Sequence, residues 1–251
     1  MPPELLPSLP EHASQLKSRK ALAPNIKLDP VTSHTVPAYR RLITTILPIS
    51  YSDKFYKDSI ANPTSSSLAL CAQWQDSSIS YHDDHKLSNQ HDVIASKSAS
   101  PRSLVVGGIQ CRLEPIPIPP TTSSPSQPQQ ALYIQTLAVL SPYRCLGIAT
   151  SLLDTVVTTA LTHYSSSSAG GCVAEVYAHV WEANTDALEW YRKRGFVIEE
   201  EVVESYYRKL RPGGARVVRR RVGVGDWLRV ERVREGEEGV KGLVEGGNQI
   251  E

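Results

Sequence analysis

Between Ile148 and Leu161 the chain repeats one pattern: Ile148, Leu152, Leu153, Val156, Val157, Ala160 and Leu161 are apolar at steps of three, four and one. That period puts them on one face of a helix opening at Gly147, and such a face packs on a sheet. A shorter version of the pattern, Val36, Leu42, Ile43 and Ile46, predicts a helix from Thr35 to Ile46, closed before Pro48. Strands are predicted where apolar and β-branched residues concentrate, from Leu68 to Trp74, Leu104 to Leu113, Leu132 to Leu140 and Cys172 to Val180. Asn184 to Arg194 reads as a short helix capped by Asn184 and stopped by Gly195. Phe196 to Val203 and Ser205 to Leu210 read as a closing pair of strands, and LPISYSDKFYKD at 47–58 as a loop.

Polar stretches set the expected boundaries. Residues 1–25 lack a period and are rich in Pro, Ser and Ala, which predicts a disordered tail before a domain at 26–211. Two segments, about 75–102 and 114–130, read as loop insertions in that domain. Residues 212–251 carry the cluster Arg216, Arg219, Arg220 and Arg221 and then Gly/Glu-rich sequence, predicting a second tail, disordered past about residue 225.

Composition narrows the classes. Lys+Arg 27 against Asp+Glu 26 in 251 residues leaves a net charge of +1, so no global field draws the chain to DNA or an anionic membrane. No apolar run approaches a membrane span, and the first residues lack a signal-peptide pattern; the expected compartment is the cytoplasm, with the nucleus also open to it. Cys71, Cys111, Cys145 and Cys172 are widely spaced, which implies neither a disulfide framework nor a zinc site. His82-Asp83-Asp84-His85 with His91-Asp92 offers metal-ligand types but lies in a polar insertion, so no metal is expected. Gly223-Val224-Gly225 begins a dinucleotide pattern that Leu228 breaks. The arginine cluster is either a solvated face or a basic address.

Ser141 to Thr150 is different because strand, turn and helix arrive in that order. The first N–H groups of a helix are unpaired and lie at the positive end of its dipole, so the turn either holds an anion or merely connects two elements. Arg144-x-x-Gly147-x-Ala149 resembles the acetyl-CoA motif of the GCN5-related N-acetyltransferases. Asn184-x-x-Ala187-x-x-x-Tyr191-x-x-x-Gly195-Phe196 resembles that family's second acetyl-CoA signature. Segments 47–58, 132–150 and 205–210, with the strand end His179-Val180, are similar to the NatE-type N-alpha-acetyltransferases within it.

The resemblance implies an α/β fold with a mixed, mostly antiparallel central sheet, splayed at the cofactor site and flanked by helices. It implies acetyl-CoA as cosubstrate, held by Leu137, Ala138 and Val139, by the run Arg144, Cys145, Leu146, Gly147, Ile148, Ala149 and Thr150, and by Asn184 and Tyr191. It implies Tyr133 and His179 as catalytic residues, working with water as the base. Pro48, Ile49, Tyr51, Gln135, Tyr206 and Tyr207 match positions that line the peptide groove, though Leu47 and Gln135 replace the family's usual aromatic and methionine. The implied reaction acetylates the α-amine of proteins starting with Met and an apolar residue. The implied partners are nascent N-termini, the auxiliary and catalytic subunits of NatA, and the ribosome. A lysine acetyltransferase and a catalytically silent subunit of a NatA-type complex remain open.

Overall fold

The computed structural model describes residues 22–61, 67–75, 103–117, 128–164 and 172–245. Seven strands form one sheet: β1 (Ile26–Pro30), β2 (Ala69–Gln75), β3 (Ser103–Pro115), β4 (Gln129–Val139), β5 (Cys172–Trp181), β6 (Val197–Val203) and β7 (Ala215–Arg221). Their order is β1-β2-β3-β4-β5-β7-β6, antiparallel throughout except for the parallel pair β4–β5. The helices are α1 (Val36–Ile46), α2 (Asp53–Asp58), α3 (Ile148–Tyr164), α4 (Thr185–Arg192) and α5 (Val224–Glu245). The mixed, mostly antiparallel sheet flanked by helices is the expected fold class.

Helix α3 covers one face of the sheet. All seven apolar residues of its stripe are buried, packed with Leu132, Ile134, Val139 and Val176 from the strands. On the opposite face, α1 seats Tyr39, Leu42 and Ile43 against Val105 and Ala138. The Tyr39 hydroxyl hydrogen-bonds the buried Thr136 hydroxyl at 2.9 Å, so β4 is pinned from both sides. The segment expected as a loop at 47–58 is helical in part: Ser52 caps α2, its hydroxyl accepting from the Phe55 N–H, and Tyr56 is buried beneath.

The carboxy-terminal boundary at 211 is corrected. Ser205 to Leu210 is not a strand: Ser205 has a positive φ of 56°, and the segment turns until Tyr207 N–H donates to the Gly213 carbonyl at 2.8 Å. The partner of β6 is β7, the arginine-rich segment, inserted between β5 and β6. Arginine tolerates such a place because its aliphatic stem packs while its head finds acceptors. Arg216 donates to backbone carbonyls of β6, Arg219 pairs with Glu175 and Glu199, and Arg220 pairs with Asp226 at 2.6 Å. Between the arginines, Ala215, Val217 and Val218 are buried.

The expected disorder past residue 225 is likewise replaced by α5. Val230 is buried against the core, Arg229 bridges to Asp154 of α3 at 2.6 Å, and Asp226 is 2% exposed. Burial pushes the Asp226 carboxyl up, but hydrogen bonds from Arg220 and the Gly223 N–H outweigh it and hold the group below the usual carboxylate range. The amino-terminal tail up to residue 21, most of both insertions and the His82–His85 cluster lie outside the described residues.

Candidate active site

The parallel pairing of β4 with β5 runs from Gln129↔Cys172 to Ile134↔Ala178 and stops. On β4 the next residue, Gln135, is also skipped by β3, which pairs Cys111 with Ile134 and Gln110 with Thr136. A bulge at that point bends the strand, and beyond it β4 and β5 splay apart. Among the described residues, the edge of β4 facing β5 has no strand partner from Gln135 to Val139. This is where the implied cofactor contacts Leu137, Ala138 and Val139 fall.

Tyr133 and His179 stand at the vertex of the splay on the same face of the sheet. Their rings meet edge to face, centroids 5.5 Å apart at 89°. Tyr206 completes the cluster: its hydroxyl is 2.9 Å from that of Tyr133, and its ring stacks on His179 at 4.5 Å and 9°. The turn that replaced the expected strand at 205–210 is what brings Tyr206 here. The Tyr207 hydroxyl donates to the His179 carbonyl at 3.2 Å, fixing the end of β5 from below.

Burial lowers the His179 pKa, opposed by the nearby Glu114 and Glu199 carboxylates and reinforced by Arg219. The imidazole is therefore neutral near pH 7. Its Nδ1 is buried and has no hydrogen-bond partner among the described residues. Burial, then the hydrogen bond with Tyr206, pushes the Tyr133 phenol well above the usual tyrosine range, so it acts as a neutral hydroxyl.

A cavity of about 400 Å³ lies at the end of β5, lined by Ile46, Pro48, Trp181, Asn184, Asp186 and Leu210. Of the residues expected along a groove only Pro48 lines this cavity; Ile46, Trp181 and Leu210 were not among them, since their apolar character reads as core packing. Gln135 instead lines a second cleft with Lys54, Asp58 and Arg112. Tyr51 borders that second cleft: its hydroxyl donates to the Gln135 carbonyl at 3.1 Å and its ring stacks on Phe55. Ile49 is half-buried in the connection between α1 and α2.

At the other end of the open β4 edge, a 3-10 turn, Ser141–Tyr143, leads to Arg144, whose Nε donates to the Val139 carbonyl at 3.3 Å. Cys145 and Gly147 take positive φ values of 61° and 86°, folding the chain sharply into α3. Ser151 N–H bonds back to the Gly147 carbonyl at 2.9 Å, so the first-turn N–H groups of Ile148, Ala149 and Thr150 precede the helical ladder. The side chain of Thr150 is engaged by Arg194, and the Asn184 side chain caps α4 by accepting from Ala187 N–H at 3.1 Å. Tyr191 is 6% exposed, its ring edge-on to Phe196 in the core. Cys145 is exposed and Leu146 half-buried. An unpartnered strand edge running into a positively charged helix mouth fits an extended ligand with amide groups and a pyrophosphate, which is the chemistry of acetyl-CoA. Among the described residues no group of three or more His, Cys, Asp or Glu could hold a metal ion.

Residues 55–196 match the Acetyltransferase (GNAT) family. N-alpha-acetyltransferase 50 of Danio rerio is 31% identical over 195 residues, covering 78% of this chain and 88% of that protein. The probable N-acetyltransferase san of Drosophila melanogaster is 29% identical over 196 residues, covering 78% and 80%. Among solved structures, Arabidopsis thaliana Naa50 in complex with the bisubstrate analogue CoA-Ac-MVNAL superposes with a TM-score of 0.52 at 28% identity, covering 78% of this chain and 98% of that one.

Proposed function

Because the chain belongs to the acetyltransferase (GNAT) family, as an acetyl-CoA-dependent enzyme related to the Nat-type acetyltransferases, we propose that its acceptor is the α-amine of proteins that start with Met and an apolar residue. The observation that carries this reading is the Tyr133–His179–Tyr206 cluster at the vertex of the splayed strands. An α-amine has a pKa of about 7.7 to 8.0, so near pH 7 most of it is protonated and must lose a proton before it attacks. Acetyl-CoA supplies the thioester carbonyl. His179, neutral and desolvated, takes up the proton, while the Tyr133 hydroxyl, oriented by Tyr206, orders the water through which it passes. The open edge of β4 from Gln135 to Val139 supplies backbone groups that align the pantetheine and the carbonyl, and the Arg144–Gly147 turn receives the pyrophosphate.

Ile46, Pro48, Trp181 and Leu210 give the cavity an apolar wall that suits an apolar side chain, and the Asp186 carboxylate on its polar side disfavours an acidic one. The analogue bound to Arabidopsis Naa50 carries a peptide starting Met-Val, which supports the same preference at 28% identity. From the resemblance of its sequence to NatE-type enzymes we further propose NatA-type auxiliary and catalytic subunits and the ribosome as partners, in the cytoplasm and also the nucleus. Thiol release from acetyl-CoA with peptides starting Met-Leu-Pro, Met-Glu and Ser-Glu tests the acceptor. Met-Leu-Pro should be turned over with the highest kcat/KM. A Met-Leu-Pro peptide blocked at its α-amine but carrying an internal lysine should be inert. Activity confined to the blocked peptide would instead identify a lysine acetyltransferase.

The turn makes a separate prediction. Gly147 has φ of 86°, a region costly for a β-branched residue, and its missing Cβ leaves the helix mouth open. Gly147→Val should weaken acetyl-CoA binding at least about tenfold, from strain of roughly 1–3 kcal/mol plus obstruction, as read by calorimetric titration. Wild-type affinity in that variant would remove the turn from the cofactor site.

A further inference from the structure

Tyr133 belongs to a row of side chains that crosses four strands. Pairing aligns Arg112 with Tyr133, Tyr133 with Tyr177, and Tyr177 with Arg219. The two tyrosine rings are stacked, centroids 4.8 Å apart with 23° between their planes. A guanidinium lies over each: Arg112 is 5.2 Å from the Tyr133 centroid and Arg219 is 5.0 Å from that of Tyr177. Each guanidinium is itself anchored, Arg112 donating from Nε to Glu114 at 2.7 Å and Arg219 pairing with Glu175 and Glu199. The second carboxylate oxygen of Glu114 takes the Tyr177 hydroxyl. Glu114 thus holds both Arg112 and Tyr177. The row lies one residue before the last β4–β5 pair, at the floor of the cleft.

We propose that Glu114 is a positioning residue for acetyl transfer: through Arg112 and Tyr177 it fixes the Tyr133 ring against His179, and its charge favours the protonated imidazole that forms as His179 accepts a proton. This rests on the acetyltransferase reading above. Two physical terms carry it. A ring clamped on its face by Tyr177 and Arg112 cannot tilt, so the Tyr133 oxygen stays at its partner Tyr206, and positioning errors of that kind cost up to about a hundredfold in rate. The second is electrostatic. Around His179 stand the rings of Tyr133 of β4, Tyr177 of β5 and Tyr206 of the following turn and the Tyr207 hydroxyl; the charges acting on it are Glu114 of β3, Glu199 of β6 and Arg219 of β7, with Arg112 and Glu175 one ion pair further out. Glu199 is tied to Arg219 on the far side of the row, and Glu114 is the main counterweight to burial. Removing one negative charge destabilises the imidazolium, so the His179 pKa falls.

The test is Glu114→Gln, read by NMR titration of the His179 imidazole and by kcat/KM against pH. The midpoint should move to lower pH, the acid limb of the rate profile should move with it, and kcat should fall about tenfold while KM for acetyl-CoA stays within about twofold. Glu114→Asp should restore the midpoint. An unmoved midpoint with kcat within about twofold of wild type overturns the proposal. Tyr177→Phe keeps the stack and cuts only the link to Glu114; it should lower kcat about threefold, and an unchanged kcat there overturns the proposal even if Glu114→Gln does not fold. A wild-type enzyme that acetylates no peptide would defeat the acceptor reading, whereas the titration midpoint still tests the coupling of Glu114 to His179.

Discussion

A chain ended at residue 211 will not fold to a cooperative structure. That cut removes β7, which pairs with β5 from Glu175↔Arg221 to Trp181↔Ala215 and carries β6 on its other edge. Without it β6 has no partner, the positions of Ala215 and Val218 in the core are vacated, and Glu175 and Glu199 lose Arg219. The loss of an inner strand exceeds the roughly 5–15 kcal/mol by which a domain of this kind is stable. A chain ended at residue 222 keeps the sheet but loses α5. It leaves Arg220, whose side chain is 17% exposed, without Asp226, and uncovers the α3 surface that Val230 fills. Breaking a buried pair costs about 3–5 kcal/mol, so this second chain should melt cooperatively but well below the full-length protein. Thermal unfolding followed by circular dichroism distinguishes them. A 211-residue chain melting like the full protein would refute the central placement of β7.

The difference between those two cuts marks what the sequence could and could not convey. Helix α3 was legible because all its buried residues obey one period and its one acidic residue, Asp154, falls outside that stripe. The Arg144–Gly147 turn was legible because its residues lie in one short stretch between two readable elements. Strand β7 was not: in Arg216 to Arg221 the charges outnumber the valines, and only the assembled sheet supplies the carboxylates and carbonyls that make arginine tolerable inside it. Ser205 to Leu210 failed for the opposite reason, since paired tyrosines favour a strand, yet each has a tertiary partner, His179 for both, that draws the chain into a turn. Tyr133 and His179 could be named from the sequence, but their contact through Tyr206 joins segments far apart in the chain. Glu114 carries no local signal at all, being an acidic residue at the end of a strand until β5 places Tyr177 against it.

Replacing His179 by alanine, or Tyr133 by phenylalanine, should each lower kcat by about a hundredfold or more, the range typical of losing a general base or its oriented partner. The two substitutions remove different things. Tyr133→Phe preserves the ring stacked on Tyr177 and deletes only the hydroxyl bonded to Tyr206, so its fold should be unperturbed and KM for acetyl-CoA nearly unchanged. His179→Ala deletes the group whose pKa burial lowers, and this fixes the pH signature. In the wild type the unfolded chain binds a proton at His179 near pH 6.5 and the folded chain only below that. The part of stability due to the neutral, buried imidazole is therefore present above about pH 6.5 and lost as pH falls through that value, and activity loses its base over the lower window where the folded imidazole charges. In His179→Ala both trends should flatten: the melting temperature should depend less on pH on the acid side, and the residual rate should rise with pH only as the substrate amine deprotonates. Tyr133→Phe should keep the wild-type acid limb at a lower height. Equal loss of acetyl-CoA binding in both variants would mean that the two side chains hold the cleft open instead of moving the proton.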